Sequence, residues 1–133
     1  LGDDRYVEDV MGVSYSSYTP DSSWTAPTLI NSWANYGGAF ATAGFRKDGF
    51  GRVFLRGLLV NTTMSTFAGE SDLFVLPTGY RPGTSKGEVF TVYTGGGAAR
   101  VDVYDDGRVA WMGGGSSNNT YFSISGISFL AGG

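Results

Sequence analysis

Between Arg52 and Val60 the side chains alternate in the manner of an extended strand, with Val53, Leu55 and Leu59 on one face and Arg52, Phe54, Arg56 and Leu58 on the other. The first face reads as core. The second, an arginine and aromatic row, is more apolar than a solvated face and suits a subunit interface. Just before it, Phe45 to Arg52 carries an Asp48-Gly49 turn signal, with Gly51 available for a bulge. A second hairpin spans Arg100 to Trp111, and two registers compete for it. A two-residue Asp106-Gly107 turn pairs Asp102 with Trp111 and leaves the indole outside. A three-residue loop with Gly107 left-handed pairs Val103 with Val109 and Val101 with Trp111. The second register is preferred because it buries the larger side chain.

Further strands are predicted at Asp72 to Leu76, Glu88 to Thr94 and Tyr121 to Leu130, the last with a bulge or close backbone approach at Gly126. About seven or eight short strands at this spacing imply a single antiparallel β-sandwich or jelly-roll-like domain, or a closed barrel, over residues 28–133. Residues 1–27 lack sustained alternation and read as an N-terminal connector. Within it, Asp3 or Asp4 caps a short helix with Val7, Val10 and Met11 on one stripe, suited to packing against copies of itself. The chain starts at Leu1, which predicts further sequence upstream.

Composition narrows the chemistry. A chain of 133 residues with 41% apolar content, 22 glycines and 16% charged residues fits one turn-rich domain. The net charge of -3, with 9 basic and 12 acidic residues interspersed, provides no basic stripe for a phosphate backbone, so nucleic acid is a poor partner. No apolar run is long enough for a membrane helix. With neither cysteine nor histidine, thiolate nucleophiles, most hydrolase triads and zinc sites are excluded, and no cofactor or metal is expected.

Carboxylates remain. Asp48, Asp105 and Asp106 sit in turn positions, where aspartate serves local backbone hydrogen bonding, and Glu70 and Asp72 flank a strand start. Asp102 and Glu88 complete the set, and no pair of carboxylates has a spacing that marks a catalytic or calcium site. The chain is therefore expected not to be an enzyme. Gly95-Gly96-Gly97 and Gly113-Gly114-Gly115 lack the lysine and helix of a phosphate cradle. They read either as plain flexible connections or as a polar binding rim formed by Tyr93, Thr94, Gly96, Ser116, Asn118 and Asn119. Aromatic residues make up 15% of the chain, and exposed rings are a common means of holding sugars. Trp33, Tyr36, Phe40 and Phe45 are equally consistent with core, subunit interface or binding surface.

Several segments in order resemble the C-terminal domains of phage tail fibres and related receptor-binding proteins. They are Trp33-Ala34-Asn35-Tyr36-Gly37-Gly38, the run from Ala43 to Gly57 around Arg46-Lys47-Asp48-Gly49, Leu76-Pro77-Thr78-Gly79-Tyr80-Arg81-Pro82, and Tyr121 to Phe129. The opening Leu1-Gly2-Asp3-Asp4-Arg5-Tyr6 is similar to a segment that joins a fibre shaft to its tip. The resemblance implies a homotrimeric β-sandwich at the distal end of a virion's tail fibre, attached to an upstream shaft. Its partner would be a bacterial surface glycan or protein. Arg52, Phe54 and Arg56 would join Val7, Val10 and Met11 at subunit contacts. Two other readings stay open: a structural trimerisation or capping domain, and a carbohydrate-binding module appended to an enzyme.

Overall fold

A computed structural model of the chain describes residues 23–64, 67, 69–115 and 119–132. Among these residues ten short strands form two antiparallel sheets. The larger contains β1 (Trp33–Asn35), β4 (Leu58–Asn61), β5 (Ser71–Val75), β6 (Glu88–Thr94), β7 (Gly97–Val103), β8 (Arg108–Gly114) and β9 (Phe122–Ser123), in the order β1-β4-β9-β6-β7-β8-β5. The smaller contains β2 (Gly44–Lys47), β3 (Arg52–Arg56) and β10 (Ser128–Leu130), in the order β10-β3-β2. The seven-stranded sheet curls until its two edges nearly meet. Ile30 N–H donates to Leu73 O at 2.9 Å, and the Trp33 indole N–H donates to Ser71 Oγ at 2.9 Å, tying the segment around β1 to β5. The result is an almost closed barrel rather than two equal sheets, and closure protects edges that would otherwise invite pairing.

The interior is aromatic. Trp33, Phe67, Trp111 and Phe122 are buried, and Phe67 meets Trp33 and Trp111 edge to face at ring separations of 4.9 Å. Fully burying side chains of this size contributes about 1.5–3 kcal/mol each, with about 0.5–1.5 kcal/mol more for each well-placed ring pair. Val53, Leu55 and Leu59 are buried as their alternation predicts, and Trp33 and Phe45 resolve to core.

The Arg100 to Trp111 hairpin adopts the three-residue register: Val103 pairs with Val109, Val101 with Trp111, and Gly107 has φ of 96°. In the first hairpin the turn sits one residue later than Asp48-Gly49 suggests. Asp48 opens it, Gly51 takes the left-handed conformation, and Asp48 Oδ1 accepts from Phe50 N–H and Arg52 N–H at 2.9 and 3.0 Å.

Two expected strands are each broken in two. The run from Arg52 to Val60 divides at Gly57, and that from Tyr121 to Leu130 divides at Ser125-Gly126, so that each passes from one sheet to the other. The crossings lie against each other: Ile124 N–H donates to Gly57 O at 2.9 Å, and Gly57 N–H donates to Ser125 Oγ at 3.0 Å. At Gly57, with φ of 136°, a Cβ would lie 2.7 Å from Ala43 Cα, so only glycine lets the two chain segments approach. Residues 23–27, the described end of the expected connector, are tied to the smaller sheet. Thr25 exchanges backbone hydrogen bonds with Phe45, and Trp24 packs beneath the Arg56 guanidinium at 4.2 Å. Val7, Val10 and Met11 lie outside the described residues.

Candidate binding surface

Of the residues that the sequence reading places in a glycine-rich rim, the structure brings Tyr93, Thr94, Gly96 and Asn119 near one another. β6 and β7 form a tight hairpin through Gly95-Gly96, and the end of β8 at Gly113–Gly115 packs beside it, with Gly114 opposite Ala99. Thr94 and Asn119 hold the two loops together. Thr94 Oγ1 lies 2.9 Å from Asn119 Oδ1 and 2.8 Å from Gly97 O, and it accepts from Gly96 N–H at 3.0 Å. The Asn119 amide donates to Gly114 O at 2.5 Å. Both residues are buried, so they shape the rim from beneath. Tyr93 is the exposed member of the set, Gly96 is half-buried, and Ser116 and Asn118 lie outside the described residues.

Beside this rim the outer face of the barrel carries a feature the sequence left unresolved. Alternation turns Trp33, Leu59, Thr94 and Phe122 inward, and their neighbours Leu58 on β4, Tyr93 on β6 and Tyr121 just before β9 outward. Tyr36, just past β1, extends the same row, its N–H donating to Leu58 O at 2.9 Å. The chain then folds back through Gly37 and Gly38, with φ of 89° and 63°, and places Phe40 against Tyr36. Ala43 N–H donating to Asn35 Oδ1 at 2.7 Å, and Leu58 N–H donating to Ala41 O at 3.1 Å, fasten this loop.

Tyr36, Phe40, Tyr93 and Tyr121 thus surround a cleft of about 340 Å³ floored by Leu58. Tyr36 meets Phe40 edge to face at 5.4 Å and Tyr121 at 5.7 Å, while Tyr93 lies tilted 6.4 Å from Tyr121. Tyr36, Phe40 and Tyr93 remain 49%, 56% and 63% exposed, which is unusual for neighbouring rings in a folded domain. A hydrogen bond with Tyr93, followed by the proximity of its phenol, holds the Tyr121 hydroxyl above the ordinary tyrosine range. The legible signal was Gly37-Gly38. Those two glycines rule out a continuous strand that would carry both Tyr36 and Phe40 into the core.

Elsewhere, polar groups are spent on structure. Asp102 is buried on the outer face of β7, accepting from Arg100 Nε and Nη2 at 2.8 Å each and from the Tyr104 hydroxyl at 2.9 Å. Burial pushes its carboxyl up, but the hydrogen bonds from Arg100 and Tyr104 and the arginine charge outweigh that and hold it below the usual aspartate range. The neighbouring depression of about 420 Å³ includes Asp72, Tyr104 and Arg108. Arg108 there already stacks on Tyr104 at 4.4 Å and approaches Asp72 at 3.6 Å. Asp106 Oδ1 accepts from Arg108 N–H at 3.1 Å, a turn role like that of Asp48. Among the described residues no three His, Cys, Asp or Glu side chains gather to hold a metal ion, and no helix is long and apolar enough to cross a membrane.

The Arg52, Phe54 and Arg56 row lies on the outer face of β3 and is half-buried within one chain. Arg52 Nη1 donates to Ser128 Oγ at 3.1 Å, Arg46 covers Phe54 at 5.3 Å, and Arg56 covers Trp24.

No protein-family model matches the sequence, and no curated protein matches it. Among solved structures a relationship emerges. The fold resembles that of a phage receptor-binding protein. The crystal structure of the receptor binding protein (gp15) of Listeria phage PSA aligns with a TM-score of 0.71 at 17% identity, over 89% of this chain and 68% of that one. At that identity the likeness is one of fold.

Proposed function

We propose that this chain is a receptor-binding domain at the distal end of a phage tail fibre, which attaches the virion to the bacterial surface and does so without catalysis. The observation that carries this reading is the match in fold, over 89% of the chain, to a phage receptor-binding protein. Two features of the molecule support it. Exposed rings lie beside the glycine-rich hairpin end that Tyr93 leads into, and three of the carboxylates, Asp48 and Asp106 in turns and Asp102 in a buried arginine and tyrosine clasp, serve structure. In this reading the domain acts as a homotrimer carried on an upstream shaft, with Arg52, Phe54 and Arg56 together with Val7, Val10 and Met11 near the subunit contacts. The rim from Tyr93 to Gly97 and from Gly113 to Asn119 faces the host, and the receptor is a surface glycan.

The test is labelled chain incubated with a panel of bacterial strains, alongside its mass in solution by light scattering. Saturable binding to a subset of strains by a trimer is expected. Failure to bind any strain by a correctly folded trimer would point to a capping role and overturn the proposal.

A further inference from the structure

Resting on the receptor-binding reading, we infer that the cleft between Tyr36, Phe40, Tyr93 and Tyr121 is a stacking site for one neutral pyranose ring of a surface glycan. A pyranose has an apolar face of axial C–H bonds and an equatorial belt of hydroxyls, so it is held by ring faces beneath and hydrogen-bonding groups around. The cleft supplies both. No two of its rings stack face to face, since the closest pair meets at 89° and the others at 75° and 46°, so ring surface remains for a ligand. The phenol hydroxyls of Tyr36, Tyr93 and Tyr121 supply donors and acceptors around the rings.

Charge selects among sugars. Tyr36, Phe40, Leu58, Tyr93 and Tyr121 are all uncharged, with no cation among the described lining residues to compensate an acidic sugar. A neutral hexose fits this lining and a uronate does not. Size decides between a ligand and a second protein chain. A volume of about 340 Å³ falls within the range of roughly 300–1,000 Å³ for small-molecule sites. A stable protein interface needs about 800 Å² from each partner, far more than four rings and a leucine expose. The Gly37-Gly38 turn and the Thr94 to Asn119 clasp hold the two walls in place before any ligand arrives, which reduces the ordering cost of binding.

The experiment titrates the full chain with neutral wall polysaccharide purified from a strain the chain binds, and separately with methyl glycosides of neutral hexoses, followed by NMR. Tyr36→Ala and Tyr93→Ala should each weaken polysaccharide binding about tenfold, since a lost ring contact of this kind is worth on the order of 1 kcal/mol or more. Tyr93→Phe, which keeps the ring, should retain most of the affinity. Melting temperature and solution mass should stay at wild-type values, because these side chains are half exposed. Undiminished binding by both alanine variants would overturn the cleft while leaving whole-cell attachment, and therefore the receptor reading, intact. A change of mass in either variant would assign the cleft to a second copy of the chain, and a preference for acidic over neutral polysaccharide would also overturn the inference. If the wild-type chain binds no strain at all, the receptor reading itself has failed.

Discussion

Thr94 and Asn119 are separated by 25 positions in the chain, yet their side chains meet at 2.9 Å in the buried base of the rim. This contact links the β6-β7 hairpin to the segment that enters β9. Thr94→Val keeps the shape and removes the hydroxyl, leaving Gly96 N–H and Asn119 Oδ1 without that partner. The expected cost is about 1–3 kcal/mol, the penalty for leaving buried polar groups unpaired. Urea unfolding measures it, and hydrogen exchange at Gly95 to Gly97 should accelerate more than in the barrel core. An unchanged midpoint would show that the clasp adds nothing to stability.

Asp102 imposes a direction on the pH dependence. Its folded value is held below the ordinary one, so its contribution is complete above the unfolded aspartate value of about 3.9 and is lost as pH falls from there through the lowered folded value. Asp106 is shifted the same way, so wild type and Asp102→Asn must be compared directly. The variant should be less stable than wild type at pH 7, with the gap narrowing as acid is added. A gap that stays constant down to pH 2 would contradict the assignment.

Gly107 and Gly37 both have positive φ but differ in their surroundings. At Gly37 a Cβ meets nothing within 4 Å, whereas at Gly107 it would collide with Leu76 O and with Arg81 Nε. Gly37→Ala should therefore cost about 1–2 kcal/mol, the conformational penalty alone. Gly107→Ala should cost distinctly more, because Arg81 Nε also donates to Leu76 O at 2.9 Å and cannot move aside freely. Equal thermal shifts for the two variants would contradict this account.

Trp111 is fully buried, and its indole N–H has no hydrogen-bond partner among the described residues. Trp111→Phe removes that donor, worth about 1–3 kcal/mol of desolvation penalty, and so offsets part of the packing it loses. Trp111→Ala has no such offset and should cost about 3–5 kcal/mol. Denaturant midpoints of the two variants should differ widely. Similar values would indicate that the interior collapses around the alanine.

Local physics made much of this fold legible in the sequence. Period-2 alternation placed Val53, Leu55 and Leu59 inside, the size of Trp111 selected the correct hairpin register, and turn chemistry accounted for Asp48 and Asp106. The absence of histidine and cysteine followed from composition alone. The tertiary structure decided everything that depended on which strands become neighbours. Gly126 carried the local signal of a bulge or close backbone approach, and only the contact of the Ile124-Ser125 segment with Gly57 made it a crossing between sheets. Thr94 and Asn119 read as surface polar residues until the barrel enclosed them. Tyr36, Phe40, Tyr93 and Tyr121 lie on separate segments up to 85 positions apart, and no local pattern reveals that β1, β4, β9 and β6 set them side by side. Alternation records which face a side chain takes, but strand order is chosen by the packing of the whole chain, and the cleft is a product of strand order.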